Sequence, residues 1–267
     1  MHGPHSSAVS SAGQQREGSD GIPDAGSLRR HADRIRVDGY TVLEGALPLA
    51  FIGEMRERFD ALLEEYRDAN PTNRGANRYQ MYLPWEPPFS SPTLIEHPEV
   101  LSVVQAILGE RVLLGYLASD TPLPGSDYQT AHLDSELLFP ESGVATPCFA
   151  LVVNVPLVDV TEENGPLEIW PGGTHNMPVP VDIPSLAETL VSRRLTMMAG
   201  DVLVRDPRAW HRGTPNRGTR SRPNVALVYT RPWYRFAQEP PTLRGSQLDS
   251  LSDRAKAMLR HARLTEG

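Results

Sequence analysis

From Gly109 onward the chain breaks into short runs of β-forming residues parted by turn formers: RVLLGYLAS, DYQTAHLD, CFALVVNVPLV, PLEIW, DVLVR, AWHRG and NVALVYTRPW. So many short runs predict an antiparallel sandwich or barrel rather than a parallel sheet, which would need a helical crossover between successive strands. One helical insertion is expected around Ser185 to Leu195. An amphipathic tail helix using Leu248, Leu251, Ala255, Met258 and Leu259 should close the chain. The other helices precede the strands. A short one, capped by Ser27, runs to the DGY at 38–40, followed by the strand YTVLEG. From Leu47 to Tyr66, Ile52, Met55, Phe59, Leu62, Leu63 and Tyr66 recur at spacings of three and four, which marks one apolar helix face as core. A further helix is expected from about His97 to the stop signal at Gly109. The expected fold is a single α+β domain over 27–267: a mainly β jelly roll buttressed by helices.

Composition narrows the partners. The 267 residues are 39% hydrophobic, enough for a substantial core. A net charge of -7 and a single lysine, Lys256, give no basic field for nucleic acid or an anionic membrane, which favours a small-molecule partner. Cys148 is the one cysteine, so no internal disulfide can form and a reducing, cytoplasmic setting is expected. Residues 1–26, rich in Ser, Gly and Gln, lack the apolar core of a signal peptide and are expected to be disordered. Nothing in the sequence bears on oligomeric state.

Residues 69–93 carry no periodicity and hold aromatics among prolines and asparagines, as a binding loop or lid would. Tyr79, Tyr82 and Trp85 are therefore the candidate substrate contacts.

His132 and Asp134 stand two apart in QTAHLDSE. In an extended strand they project from the same side and can grip one ion together. Two other histidines lie in the strand-rich region, His175 in WPGGTH and His211 in DPRAWHRGTPN. Gly172 and Gly173 put His175 near a turn, whereas His211 opens an extended stretch after DVLVR, so His211 is the preferred third ligand. Two imidazoles and one carboxylate suit non-haem iron(II) with open positions, although zinc would accept the same set. Beyond His211, the turn formers in HRGTPNRGTRSRP predict a hairpin centred between Asn216 and Arg217, which sets Arg222 opposite His211. A guanidinium there can hold a carboxylate through two parallel hydrogen bonds. Arg220, on the same face, is the rival.

The motifs HLD, NGPLEIWPGGTH, GDVLV and HRGTPNRGTRSRP stand in the order seen in phytanoyl-CoA dioxygenase-like proteins, which the chain resembles over about 38–235. The resemblance implies an iron(II)- and 2-oxoglutarate-dependent oxygenase on a double-stranded β-helix, with O2 as the second co-substrate. It implies His132, Asp134 and His211 as metal ligands and Arg222 as the 2-oxoglutarate clamp. Gln129 and Thr214 match positions that contact the co-substrate. The family's PGSH appears here as PGGTH, which makes His175 architectural. Related halogenases lack the carboxylate ligand, so Asp134 implies oxygenation, desaturation, epimerisation or ring closure. Bacterial members tailor natural products, and the preference for arginine over lysine hints at a GC-rich genome. Two other readings remain open: a cupin-like metal enzyme without a 2-oxo acid, and a non-catalytic ligand-binding jelly roll.

Asn164 and Gly165 are expected to form a turn, and Cys148 to be inert core. Trp233 and Tyr234 either line the barrel mouth or pack.

Overall fold

The computed structural model describes residues 21–235 and 240–266. In chain order its first half contains α1 (Ala25–Asp38), β1 (Tyr40–Leu43), α2 (Leu49–Ala69), β2 (Arg78–Tyr82), α3 (Pro92–Ile95), α4 (Pro98–Leu108) and β3 (Leu113–Pro122). Then follow β4 (Ala150–Pro156), β5 (Leu167–Ile169), α5 (Ile183–Ala187), β6 (Arg193–Leu195), β7 (Val202–Arg205), β8 (His211–Gly213) and β9 (Asn224–Thr230). The chain closes with β10 (Thr242–Arg244), α6 (Gly245–Asp249), α7 (Asp253–Met258) and β11 (Arg263–Thr265).

A six-stranded antiparallel sheet, ordered β1-β7-β4-β9-β3-β2, is joined by a three-stranded sheet, β6-β5-β8. This is the jelly roll with flanking helices that the strand pattern predicts. One face of the large sheet is apolar. Leu151, Val153 and Val155 of β4, Val202 and Val204 of β7 and Val225, Leu227 and Tyr229 of β9 share a core with Ile52, Met55, Phe59 and Leu63 of α2 and with α4. Burying each of these side chains stabilises the fold by about 1.5–3 kcal/mol. The alternate residues point the other way, toward a cavity between the sheets. In β3 a bulge between Leu114 and Tyr116 resets that alternation, so Leu114 and Leu117 join the core whereas Tyr116 turns to the cavity side.

Several local expectations need correction. Helix α1 starts at Ala25, because the Asp24 carboxylate, rather than Ser27, accepts from the N–H groups of Gly26 and Ser27 at 2.8 and 3.0 Å. Residues 1–20 of the segment expected to be disordered lie outside the described residues. The insertion near Ser185 is helical only to Ala187. Arg193–Leu195 form a strand instead, giving the edge of β5 a partner with Arg194 opposite Glu168. The tail is two short helices, since Ser252 accepts from the Ala255 N–H at 3.0 Å and starts a new one. Residues 69–93 are not all loop, because β2 pairs with β3 within them. No helix among the described residues is long and apolar enough to cross a membrane.

Gly200 shows how the helical layer is tied to the sheet. Its carbonyl accepts from the Leu47 N–H at 2.9 Å, its φ is +93°, and a Cβ there would come within 2.7 Å of the Leu47 carbonyl oxygen. We expect Gly200→Ala to cost about 1–3 kcal/mol, combining left-handed strain with a backbone clash. Gly53, with nothing within 4 Å of its virtual Cβ on the exposed side of α2, is the control. Gly53→Ala should stabilise by about 0.5–1 kcal/mol. Urea denaturation of the two variants against the parent checks both signs.

Candidate metal and co-substrate site

His211 opens β8, the end strand of the small sheet, whose outer edge is met by the chain around His132. The two residues exchange backbone hydrogen bonds, each N–H donating to the other's carbonyl at 2.9 Å. The Asp134 N–H donates to the Pro207 carbonyl at 2.8 Å. The segment DYQTAHLD is therefore not the regular strand expected from its sequence. It is an extended piece pinned residue by residue to β8 and the turn before it.

This pinning brings the three expected ligands together. Their candidate ligand atoms all lie within 4.8 Å of one another. Asp134 Oδ1 is 3.7 Å from His132 Nε2, and Asp134 Oδ2 is 3.5 Å from His211 Nε2. Each imidazole is oriented from behind. His132 Nδ1 lies 2.7 Å from the Thr130 carbonyl and His211 Nδ1 lies 2.9 Å from the Ala209 carbonyl. A carbonyl can only accept, so Nδ1 donates in both rings, and Nε2 is the ring nitrogen left facing Asp134. Burial, then the neighbouring His211, pushes the His132 pKa down to about 4, which keeps this ring neutral at physiological pH. Burial opposes the charge on Asp134. Arg205 and the two histidines together outweigh it and hold the carboxyl well below the usual carboxylate range. Two imidazoles and one carboxylate, with their candidate ligand atoms convergent, fit a divalent first-row metal.

These ligands stand in a cavity of about 710 Å³ lined from both sheets. Arg222 lines it too, although not by the route expected. β8 pairs with β5 and β9 pairs with β4 and β3, so no hairpin joins His211 to Arg222. Asn216, expected at the hairpin tip, is fully buried. Its Nδ2 donates to the carbonyls of Pro122 and Arg220 at 3.0 and 2.8 Å, which anchors the crossing from one sheet to the other. The turn formers do mark a change of direction, but turn chemistry does not specify which strand the chain joins next. Arg222 is 6% exposed, and its Nε has no hydrogen-bond partner among the described residues. Burial lowers its pKa to about 10, with Arg78 adding to the effect and Asp120 opposing it, so it remains a cation at neutral pH. Arg220 is exposed and does not line the cavity.

The secondary candidates divide. Gln129 lines the cavity, with its Oε1 accepting from the Gly213 N–H at 2.9 Å. Thr214 does not. Its hydroxyl donates to the Pro166 carbonyl at 2.7 Å, away from the cavity. Tyr79 and Trp85, expected to touch substrate, are buried in the helix-side core, where Tyr79 meets Tyr66 edge-on. The alternation of β2 gives the cavity to Arg78 and Gln80 instead. Tyr82 is 68% exposed and packs edge-on against Tyr116 without itself lining the cavity. Of the expected lid, Asn73, Arg74, Gly75 and Ala76 line the cavity alongside Arg78 and Gln80. His175 is buried away from the ligands, its Nε2 3.1 Å from the Arg36 carbonyl. Asn164, expected in a turn, instead forms an isolated antiparallel bridge with Asn216, and Gly165 follows at φ +90°, where a Cβ would come within 2.9 Å of the Thr214 carbonyl oxygen. Trp233 and Tyr234 pack with Phe149 rather than line the cavity.

Sequence reasoning missed Arg78, Asp120, Asn154 and Arg205. Arg78 is 1% exposed and bridges Asp120, at 3.2 Å, to the Thr214 carbonyl, at 3.1 Å. Gly213 makes room for it, since a Cβ there would sit 2.7 Å from the guanidinium. Asn154 and Arg205 lie in apolar strand runs, and a polar residue inside such a run was the available signal.

The family model for phytanoyl-CoA dioxygenase (PhyH) matches residues 35–224. The dioxygenase af480 of Aspergillus fumigatus is 26% identical over 159 residues, 60% of this chain and 48% of that protein, so the match spans about half the length of this curated relative. Among solved structures, the α-ketoglutarate-dependent epimerase SnoN from nogalamycin biosynthesis is 24% identical with a TM-score of 0.62, covering 78% of this chain and 84% of its own. AviO1 from Streptomyces viridochromogenes is 20% identical with a TM-score of 0.63, covering 80% and 98%. The carbocyclase SnoK from nogalamycin biosynthesis is 18% identical with a TM-score of 0.63, covering 79% and 87%. At these identities the structures establish the shared fold. The family model covers well over half of the sequence and spans all three convergent ligands as well as Arg222, and the chain therefore belongs to the phytanoyl-CoA dioxygenase family of iron(II)- and 2-oxoglutarate-dependent oxygenases.

Proposed function

We propose that this chain oxidises a drug-sized organic molecule by hydrogen abstraction, with hydroxylation, epimerisation, desaturation or ring closure as the outcome, in the making of a bacterial natural product. The observation that carries this is one cavity holding both the two-histidine, one-carboxylate group and a buried arginine with an unpartnered Nε. The named relatives support the finer part. SnoN is an epimerase and SnoK a carbocyclase of one antibiotic pathway, and SnoN has been seen with Fe3+, α-ketoglutarate and nogalamycin RO. The cavity volume lies in the range of sites for such molecules. A coenzyme A thioester would bring several phosphates. Arg74 lines the cavity, as does the acidic Asp127, and the chain's single lysine, Lys256, is in α7, outside the cavity lining.

His132 and His211 would hold iron(II) through Nε2, and Asp134 through a carboxylate oxygen. When bound, the metal with 2-oxoglutarate and O2 supplies the oxidising power that no side chain has. Arg222 would receive the distal carboxylate of the co-substrate as a charge-assisted pair, removing the cost of an unpaired buried cation. Val152, Leu203, Ala226, Val228 and Leu167 furnish apolar wall, which limits water near the reacting carbon.

Purified protein should bind one iron(II) per chain. His132→Ala, Asp134→Ala and His211→Ala should each lose most of it, while His175→Ala retains it. Elemental analysis checks this, and full retention in His211→Ala would remove that residue from the ligand set. Arg222→Leu should keep iron but weaken 2-oxoglutarate by about 30-fold or more, the equivalent of losing roughly 2 kcal/mol. Arg220→Leu should change it little. Anaerobic titration of the metal-to-ligand charge-transfer band measures both. If neither variant differs from the parent, a metal enzyme without a 2-oxo acid becomes the better account.

A further inference from the structure

Arg205 is a charged side chain in an inner strand of the large sheet. β7 lies between β1 and β4, and Arg205 is paired in register with Tyr40 on one side and Val152 on the other, so its backbone is held from both edges. Its side chain is 7% exposed. Nη2 donates to Asp134 Oδ2 at 2.6 Å and Nε donates to Asn154 Oδ1 at 3.2 Å, while Nη1 is buried without a hydrogen-bond partner. Burying a guanidinium with one nitrogen unsatisfied opposes folding by several kcal/mol unless its ion pair is tight. The chain nevertheless places it against one oxygen of the carboxylate on the metal-binding face.

That contact makes the two oxygens of Asp134 unequal. Oδ2 is committed to a cation through a short charge-assisted hydrogen bond and is a poor donor to a second cation. Oδ1 carries no such bond and faces His132 Nε2 at 3.7 Å. A carboxylate free to rotate can ligate through both oxygens. A metal of six positions held by two histidines and a two-oxygen carboxylate has two positions left, and a chelating 2-oxo acid fills both. With one-oxygen ligation a third position stays open, which oxygen requires.

We propose that Arg205 is a positioning residue that keeps Asp134 a one-oxygen ligand and thereby preserves the open coordination position at the metal. The proposal rests on the iron and 2-oxoglutarate reading above. Asn154, from the neighbouring strand, steadies the guanidinium in that role.

The test uses the whole chain loaded anaerobically with iron(II) and 2-oxoglutarate, with nitric oxide as the probe for the open position and its spin-3/2 electron paramagnetic resonance signal as the readout. Arg205→Met keeps an unbranched apolar stem of similar reach to Nε and removes the donors; Arg205→Lys keeps a charge and a donor. Arg205→Met is expected to retain iron and the 2-oxoglutarate absorption band within about threefold of the parent while its nitric oxide affinity falls about tenfold or more. Arg205→Lys should recover most of that loss. Nitric oxide binding equal to the parent in Arg205→Met overturns the proposal. So does loss of iron in a variant that melts like the parent, because Arg205 would then serve only to assemble the ligands. If Arg205→Met does not fold, Arg205→Gln is judged by the same two outcomes. Failure of the parent itself to take up iron and 2-oxoglutarate overturns the functional reading and this proposal together. A normal parent with an unaffected Arg205→Met overturns this proposal alone.

Discussion

The reciprocal pair of backbone hydrogen bonds between His132 and His211 is the contact on which the site depends. It joins an irregular segment between β3 and β4 to the outer edge of β8 in the small sheet, across 79 positions of sequence. The side chains of directly opposed residues lie on one face of an antiparallel pair, so this single registration sets the two imidazoles side by side, with ring centroids 4.5 Å apart. Asp134 follows two residues later on the same face. A slip of one residue would turn the ligands away from the cavity. The histidine Nδ1 contacts to carbonyls two residues upstream then need no further tertiary contact, because each is made within its own segment.

Charge organises the rest of the cavity. Three buried guanidiniums face two carboxylates: Arg78 is paired with Asp120, Arg205 with Asp134, and Arg222 has no carboxylate of its own. Two of these cations are structural once their partners are counted, since removing either carboxylate would leave an uncompensated buried charge. The third has unmet hydrogen-bonding capacity, which a diacid co-substrate can satisfy. The paired arginines differ in consequence. Arg78 ties β2 to the crossing segment after β8, whereas Arg205 acts on a candidate metal ligand.

Where sequence reasoning failed, the failures share a cause. Tyr79 and Trp85 look like binding-loop aromatics because their neighbours are polar and proline-rich, yet β2 pairs with β3 and its alternation sends Tyr79 into the core. Thr214 matches a co-substrate position by spacing, but its hydroxyl is taken by the Pro166 carbonyl. Arg222 was reached through a hairpin that does not exist, and it lines the cavity because the crossing from β8 to β9 delivers it there. In each case the local pattern is real, and the partner element is what the sequence does not encode.

The sequence by itself determined the class of fold and the residues brought together at its centre. Short β runs behind amphipathic helices leave few ways to cover two sheet faces, and the His-x-Asp pair with a distal histidine is a donor set whose chemistry does not depend on its surroundings. Only the tertiary structure decided what stands behind those ligands. Arg205 sits 71 positions from Asp134, and no periodicity in either segment encodes their meeting at 2.6 Å. Side-chain partners across sheets are fixed by strand order and register, which are properties of the whole packed chain, whereas the identity of a ligand is a property of one residue.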